Sequence, residues 1–154
     1  MARLAGAVSI VTTDGPAGRR GVTVSAATSV SDTPPTLLFC LNRNREENRW
    51  FGENGCFSFN TLAYEHLDLA RAFAGVGHLD MEQRFALGEW QQLATGAPVL
   101  RGARMSLDCK VTDVQPVATH YVIFGEVLSG TVWSEDGDEA SDALVYLDRH
   151  YREL

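Results

Sequence analysis

No apolar run in the 154-residue chain approaches the roughly 20 residues needed to cross a bilayer, so no membrane span is expected. The N-terminus, "MARLAGAVSIVTT", lacks a long apolar stretch ahead of a small-residue cleavage site, which argues against a secretory signal. The three cysteines, Cys40, Cys56 and Cys109, are odd in number, far apart and form no CxxC pair. That pattern argues against a disulfide frame or a zinc site and points to reduced thiols in the cytoplasm. The phosphate fingerprints GxGxxG and GxxxxGK[ST] are missing, as are the metal motif HExxH and the nucleophile elbow GxSxG. Internal repeats, low-complexity tracts and long linkers are absent. Strands and helices do not alternate regularly, which sets aside a Rossmann fold. Positive charge is scarce: 13 Lys and Arg face 20 Asp and Glu, for a net charge of −7. This balance disfavours nucleic acid as the main partner, although a local basic cluster could still hold a small anion.

What is present reads as one ordinary globular domain over residues 1–154, with 45% hydrophobic and 21% charged residues. "AVSIVTT" (7–13) is alternating and β-branched and predicts a strand, followed by the Gly/Pro-rich turn "DGPAGRRG" (14–21) of a hairpin. The next stretch, "GVTVSAATSVSDTPP" (21–35), reads as a strand that Pro34 and Pro35 break. "TLLFCLN" (36–42) is continuously apolar and predicts a strand buried on both faces. "REENRWFGENG" (45–55) predicts a short helix ended by Gly55, and "CFSFNTL" (56–62) another strand. "YEHLDLARAFAG" (64–75) aligns Leu67, Ala70 and Phe73 on one helical face. Residues 76–100 read as a long irregular excursion, a length at which loops are often functional. "ARMSLDCKVTDVQPV" and "THYVIFGEVLSGTVW" predict two long antiparallel strands, and "ALVYLDRHYREL" a closing strand that must pair within the barrel. The sum is a mainly β protein with short helices, arranged as a closed or partly split antiparallel β-barrel.

Four features carry candidate chemistry, each beside a plainer structural reading. One face of residues 21–35 bears only small groups, Thr23, Ser25, Ala27, Ser29 and Ser31, while Val22, Val24, Ala26, Thr28 and Val30 are expected to look into the core. The small face suits either packing against a neighbour or close approach of a flat ligand. "NRNREENR" (42–49) is either a solvated helix start or a phosphate site built on a helix N-terminus and arginine forks. His120 opens a strand, where barrel mouths lie, yet a lone histidine there is more often structural. Arg149 and Tyr151 belong to a charged tail that could be a terminal turn or fold back over a pocket. His66, His78, His120 and His150 have no metal-ligand spacing, so no metal is expected.

Taken in order, "VSIVTTDGPAGRRGVTVSAATSVSDTPPTLLFCLNRN", "CFSFNTL", "MEQRF", "ATHYVIFGEV" and "LVYLDRHYREL" resemble the flavin reductase family, whose fold is the FMN-binding split barrel. Within it they are similar to the reductase component of 4-hydroxyphenylacetate 3-monooxygenase and to the flavin reductase of pyrimidine degradation. The resemblance implies an NAD(P)H:flavin oxidoreductase that moves a hydride from nicotinamide C4 to flavin N5 and supplies reduced FMN or FAD to a partner monooxygenase. A non-catalytic flavin- or haem-binding protein on the same barrel is the alternative. The resemblance further implies flavin contacts from Ser25, Ala26, Ala27, Thr28, Ser29, Val30 and Ser31. The phosphate falls to the loop holding Asn42, Arg43, Arg45 and Asn48, with Arg84 and Phe85 closing over it. His120 is placed near the nicotinamide as the catalytic, chiefly positioning residue, with Arg149 and Tyr151 holding the dinucleotide donor, NADH or NADPH. Family members are homodimers, and the same is expected here.

Overall fold

Strand is the commonest secondary structure in the computed structural model, which describes residues 1–132 and 142–154. In order, the elements are β1 (Gly6–Ala7), β2 (Ser9–Thr13), β3 (Arg20–Val24), β4 (Ala27–Asp32) and β5 (Pro35–Asn42). A 3-10 turn, Glu46–Arg49, runs into α1 (Trp50–Asn54), then β6 (Cys56–Thr61). A second 3-10 turn, Tyr64–His66, opens α2 (Leu67–Phe73), followed by α3 (Met81–Phe85), β7 (Trp90–Gln91) and β8 (Val99–Leu100). The long pair β9 (Met105–Val117) and β10 (His120–Val132) precedes the terminal hairpin β11 (Leu144–Leu147) and β12 (His150–Glu153). Trp133, with which the sequence pattern ended the last long strand, lies outside the described residues.

Seven strands form one antiparallel sheet in the order β3-β2-β6-β9-β10-β5-β4. Laid flat, its two edges would stand roughly 29 Å apart at ordinary strand spacing. Yet those edges, β3 and β4, are consecutive in the chain and joined by Ser25 and Ala26 alone, a link that reaches at most about 11 Å. The sheet therefore has to curl until its edges meet. The Cys40 amide donating to the Ala26 carbonyl at 2.9 Å marks the junction. This corrects the reading of residues 21–35 as one strand. Val24 is buried, but Ala26, Thr28 and Val30 are exposed, because the chain leaves the core face at Ser25 and continues as an edge strand.

Two apolar clusters flank the sheet. Val11, Val24, Phe39, Phe51, Phe57 and Ile123 fill the barrel interior. Val8, Ile10, Leu62, Phe73, Phe85 and Leu144 pack outside it, beneath α2 and α3. Consecutive residues Ile10 and Val11 thus serve different clusters, and all five residues of β2 are buried. In β5, by contrast, Leu37, Phe39 and Leu41 are buried while Leu38 and Cys40 are only half-buried, so the strand expected to be covered on both faces is covered on one. The terminal hairpin pairs with β1 in a separate three-stranded sheet, not within the barrel as expected. The excursion over residues 76–100 holds α3 and the small β7–β8 ladder.

Candidate functional site

A cleft of about 650 Å³ opens where the barrel edges meet, within the usual size range of ligand sites. Its walls come from β3 and the Ser25–Ala26 link, the end of β5, the loop to α1, the end of α2, α3, and the first residue of β10. Ser25 owes its position partly to Gly6: a Cβ there would overlap the Ser25 carbonyl. Thr23 ties β3 to α2 by donating its hydroxyl to the Ala70 carbonyl at 2.6 Å. His120 sits at the rim, paired in register with Asn42, its Nδ1 2.8 Å from the Thr119 hydroxyl.

The cleft gathers Arg19, Arg20, Arg45 and Arg84, in a chain whose net charge is −7. Among the described residues the side-chain ion pairs belong to Arg49 and Arg71, so none of these four is neutralised by a direct pair. Three are anchored from behind by neutral groups. The Arg19 guanidinium lies 4.3 Å from the centre of the Phe85 ring, a cation–π contact. Arg20 Nε donates to Asn48 Oδ1 at 2.6 Å, and Arg84 Nε donates to the Leu79 carbonyl at 2.9 Å. Burial, first of all, lowers the pKa of Arg20, and Arg84 and Arg45 add to the effect while Glu47 opposes it. Guanidiniums held by neutral groups and left without a direct ion pair have the chemistry to receive an anion.

Of the residues singled out in the sequence, Ser25, Ala26, Asn42, Arg45, Asn48, Arg84 and His120 line this cleft. Phe85 does not close over it; at 3% exposure it is core, packed edge-on against Phe73 and Trp90, and serves as the platform for Arg19. Arg43 turns away, donating to the Ala118 carbonyl at 3.0 Å and lying 5.4 Å from the Tyr121 ring centre. Ala27, Thr28, Ser29, Val30 and Ser31 run on from the cleft along β4, the sheet's outer edge. Asn48 is buried with both ends of its amide engaged, so it supports the site from behind rather than meeting a ligand. The helix after residue 45 is a 3-10 turn plus five residues, too short for the helix-dipole role read from the sequence; the arginines supply the charge.

Arg149 and Tyr151 line a neighbouring cleft of about 360 Å³, which shares Thr23, Val24, Ser25 and Ala74 with the main one. His120 is not among its walls, so the residues of the expected nicotinamide site fall in two adjoining clefts that share Ser25. Arg19, Arg20, Trp50 and Met81 line the main cleft without having been singled out. The pair Arg19–Arg20 sat in a segment that read only as a turn, and nothing local to it marked an anion site.

The family profile described as "Flavin reductase like domain" matches residues 1–154. The chain is 47% identical, over all of its length and 84% of the relative's, to the FMN reductase (NADH) RutF of Serratia proteamaculans. It is 44% identical, over all of its length and 88% of the relative's, to the 4-hydroxyphenylacetate 3-monooxygenase reductase component of Pseudomonas aeruginosa. Among solved structures, flavin reductase HpaC complexed with NADP+ superposes with a TM-score of 0.85 at 27% identity, covering 100% of this chain and 93% of that one. BorF, the flavin reductase component of a bacterial two-component tryptophan halogenase, superposes with a TM-score of 0.86 at 27% identity, covering 99% and 92%. A split barrel with a cationic cleft at its seam, matched end to end in this way, makes the chain a member of the flavin reductase-like family.

Proposed function

We propose that the protein is an NADH- or NADPH-dependent flavin reductase that passes reduced FMN or FAD to a flavin-dependent monooxygenase. The observation that carries the reading is the convergence of Arg19, Arg20, Arg45 and Arg84 on a cleft that is also lined by the small-group link Ser25–Ala26. The residues fit a flavin phosphate ester by their own chemistry. Arginine forks with neutral anchors suit a phosphate, and small side chains at Ser25 and Ala26 admit a flat ring against the backbone. Ala27, Thr28, Ser29, Val30 and Ser31, which continue from Ser25–Ala26, would hold the ring and ribityl chain, and Asn42 would help hold the phosphate.

The bound flavin supplies the hydride-accepting chemistry. The protein's part is alignment: Ser25 and Ala26 would seat the ring, the arginines would hold its phosphate, and His120 at the rim would orient the nicotinamide. Arg149 and Tyr151, in the adjoining cleft, would hold the remainder of the hydride donor. Half-buried Tyr151, whose phenol is pushed above its ordinary pKa by burial first and by Tyr146 second, stays a neutral donor at working pH. The active unit is a homodimer in the cytoplasm, a reading supported by the free cysteines and by the apolar residues that β4, β9 and β10 expose. Incubating purified protein with FMN or FAD and NADH or NADPH, and following nicotinamide absorbance, tests the reaction. Oxidation in at least one combination is expected; none in all four would overturn it.

A further inference from the structure

We infer that Arg20 is the residue by which the cleft selects phosphorylated over neutral flavins, and that Asn48 is its positioning residue. This deepens the flavin-reductase reading and rests on it. Arg20 is the first residue of β3, and its guanidinium lies half-buried in the cleft wall. Its Nε is taken by Asn48 Oδ1 at 2.6 Å, and among the described residues its Nη groups have no protein partner. Asn48, 3% exposed, is itself locked because Nδ2 donates to the Asn42 carbonyl at 2.7 Å. Turning the amide over would set NH2 against the Arg20 donor and oxygen against a carbonyl, so only one orientation satisfies both neighbours. Arg20 is thereby aimed with its charge intact. A carboxylate at the same position would neutralise Arg20 and set an oxygen against the Asn42 carbonyl.

Arg84 repeats the device, with Nε held by the Leu79 carbonyl. Arg84 and Arg45 line the same cleft as Arg20, and their positive charges add to burial in lowering its pKa. Glu47, also in the wall, offsets part of that charge without pairing directly. Arg20 and Asn48 come from segments 28 residues apart, so their pairing exists only in the folded chain.

The test is equilibrium binding of FMN and of riboflavin to the flavin-free protein, read by fluorescence quenching over a range of salt. Arg20→Gln is expected to weaken FMN binding by about tenfold to a hundredfold, the loss of a charged hydrogen bond, and to leave riboflavin binding unchanged. Its FMN affinity should also depend less steeply on salt. Asn48→Asp should mimic this loss, and Arg20→Lys should fall between wild type and Arg20→Gln. If Arg20→Gln does not fold, as judged by circular dichroism, Asn48→Asp and Arg20→Lys carry the same comparison. Equal loss of both flavins, or an unchanged preference for FMN, would overturn the inference. If the wild type binds neither flavin, the reductase reading fails instead. Calorimetry with inorganic phosphate then decides the anion site: heat that vanishes in Arg20→Gln upholds it, and no heat, or the same heat, overturns it.

Discussion

His66 accepts a hydrogen bond from the Ala63 amide on Nδ1 at 3.2 Å, in the 3-10 turn that opens α2. Burial, the leading cause, holds its pKa below the ordinary 6.5, against an opposing pull from Glu65. In the window below 6.5 the unfolded chain therefore binds a proton that the folded chain refuses, so stability rises with pH there and is lost on acidification. The thermal midpoint should fall between about pH 7 and about pH 5. His66→Asn, which keeps an acceptor in place but cannot titrate, should flatten that part of the profile; an unaltered profile would assign the acid loss elsewhere. At the cleft rim, His120→Ala should slow nicotinamide-dependent reduction much more than it weakens flavin binding, as measured by stopped-flow reduction beside flavin titration. Equal loss of both would put His120 in the flavin pocket. In the sequence neither histidine has metal spacing, but only His120 opens a strand. In the fold both are half-buried, and of the two only His120 lines the main cleft, a placement set by neighbours distant in the chain.

Between residue and fold stands α3, five residues that carry Met81 and Arg84 into the cleft. So short a helix contributes little stability of its own. It is held by a capping box, in which Asp80 Oδ1 accepts from the Gln83 amide at 2.8 Å and Gln83 Oε1 from the Asp80 amide at 2.9 Å. From the other end, Trp90 Nε1 donates to the Phe85 carbonyl at 2.8 Å. Asp80→Ala should cost about 1 kcal/mol in chemical denaturation and, by loosening Arg84, also weaken FMN binding. Retained FMN affinity at reduced stability would separate the cap from the site. The sequence pattern passed over this element because one turn and a half is too short for a 3.6-residue period to show. The helix ending at Gly55 was legible because glycine there adopts φ 72°, a left-handed conformation that other residues resist. The β9–β10 pair was legible for its length, with register running from His120 opposite Val117 to Val132 opposite Met105.

At the scale of the molecule, the barrel leaves Val30 on β4, Val117 on β9, and Leu128 and Val132 on β10 about half exposed or more. A homodimer would cover part of this surface, and sedimentation should report twice the 16.9 kDa of one chain. Leu128→Lys should shift the population toward monomer, and a single 16.9 kDa species at every concentration would remove the dimer. Closure of the sheet also explains why the site was only partly legible. Strand content, the hairpin turns, the small residues at Ser25–Ala26 and the arginine-rich loop are local, because alternation, turn residues and side-chain size act over a few positions. By itself the sequence determined these, and they were enough to carry the family resemblance. Which arginines converge, that Asn48 supports Arg20, that Phe85 is a platform, and that Arg149 and Tyr151 line a different cleft from His120 were decided by tertiary structure alone. The reason is that a two-residue link must bring the edges of a seven-stranded sheet together, and only that curvature sets residues 20, 48, 84 and 120 around one cleft.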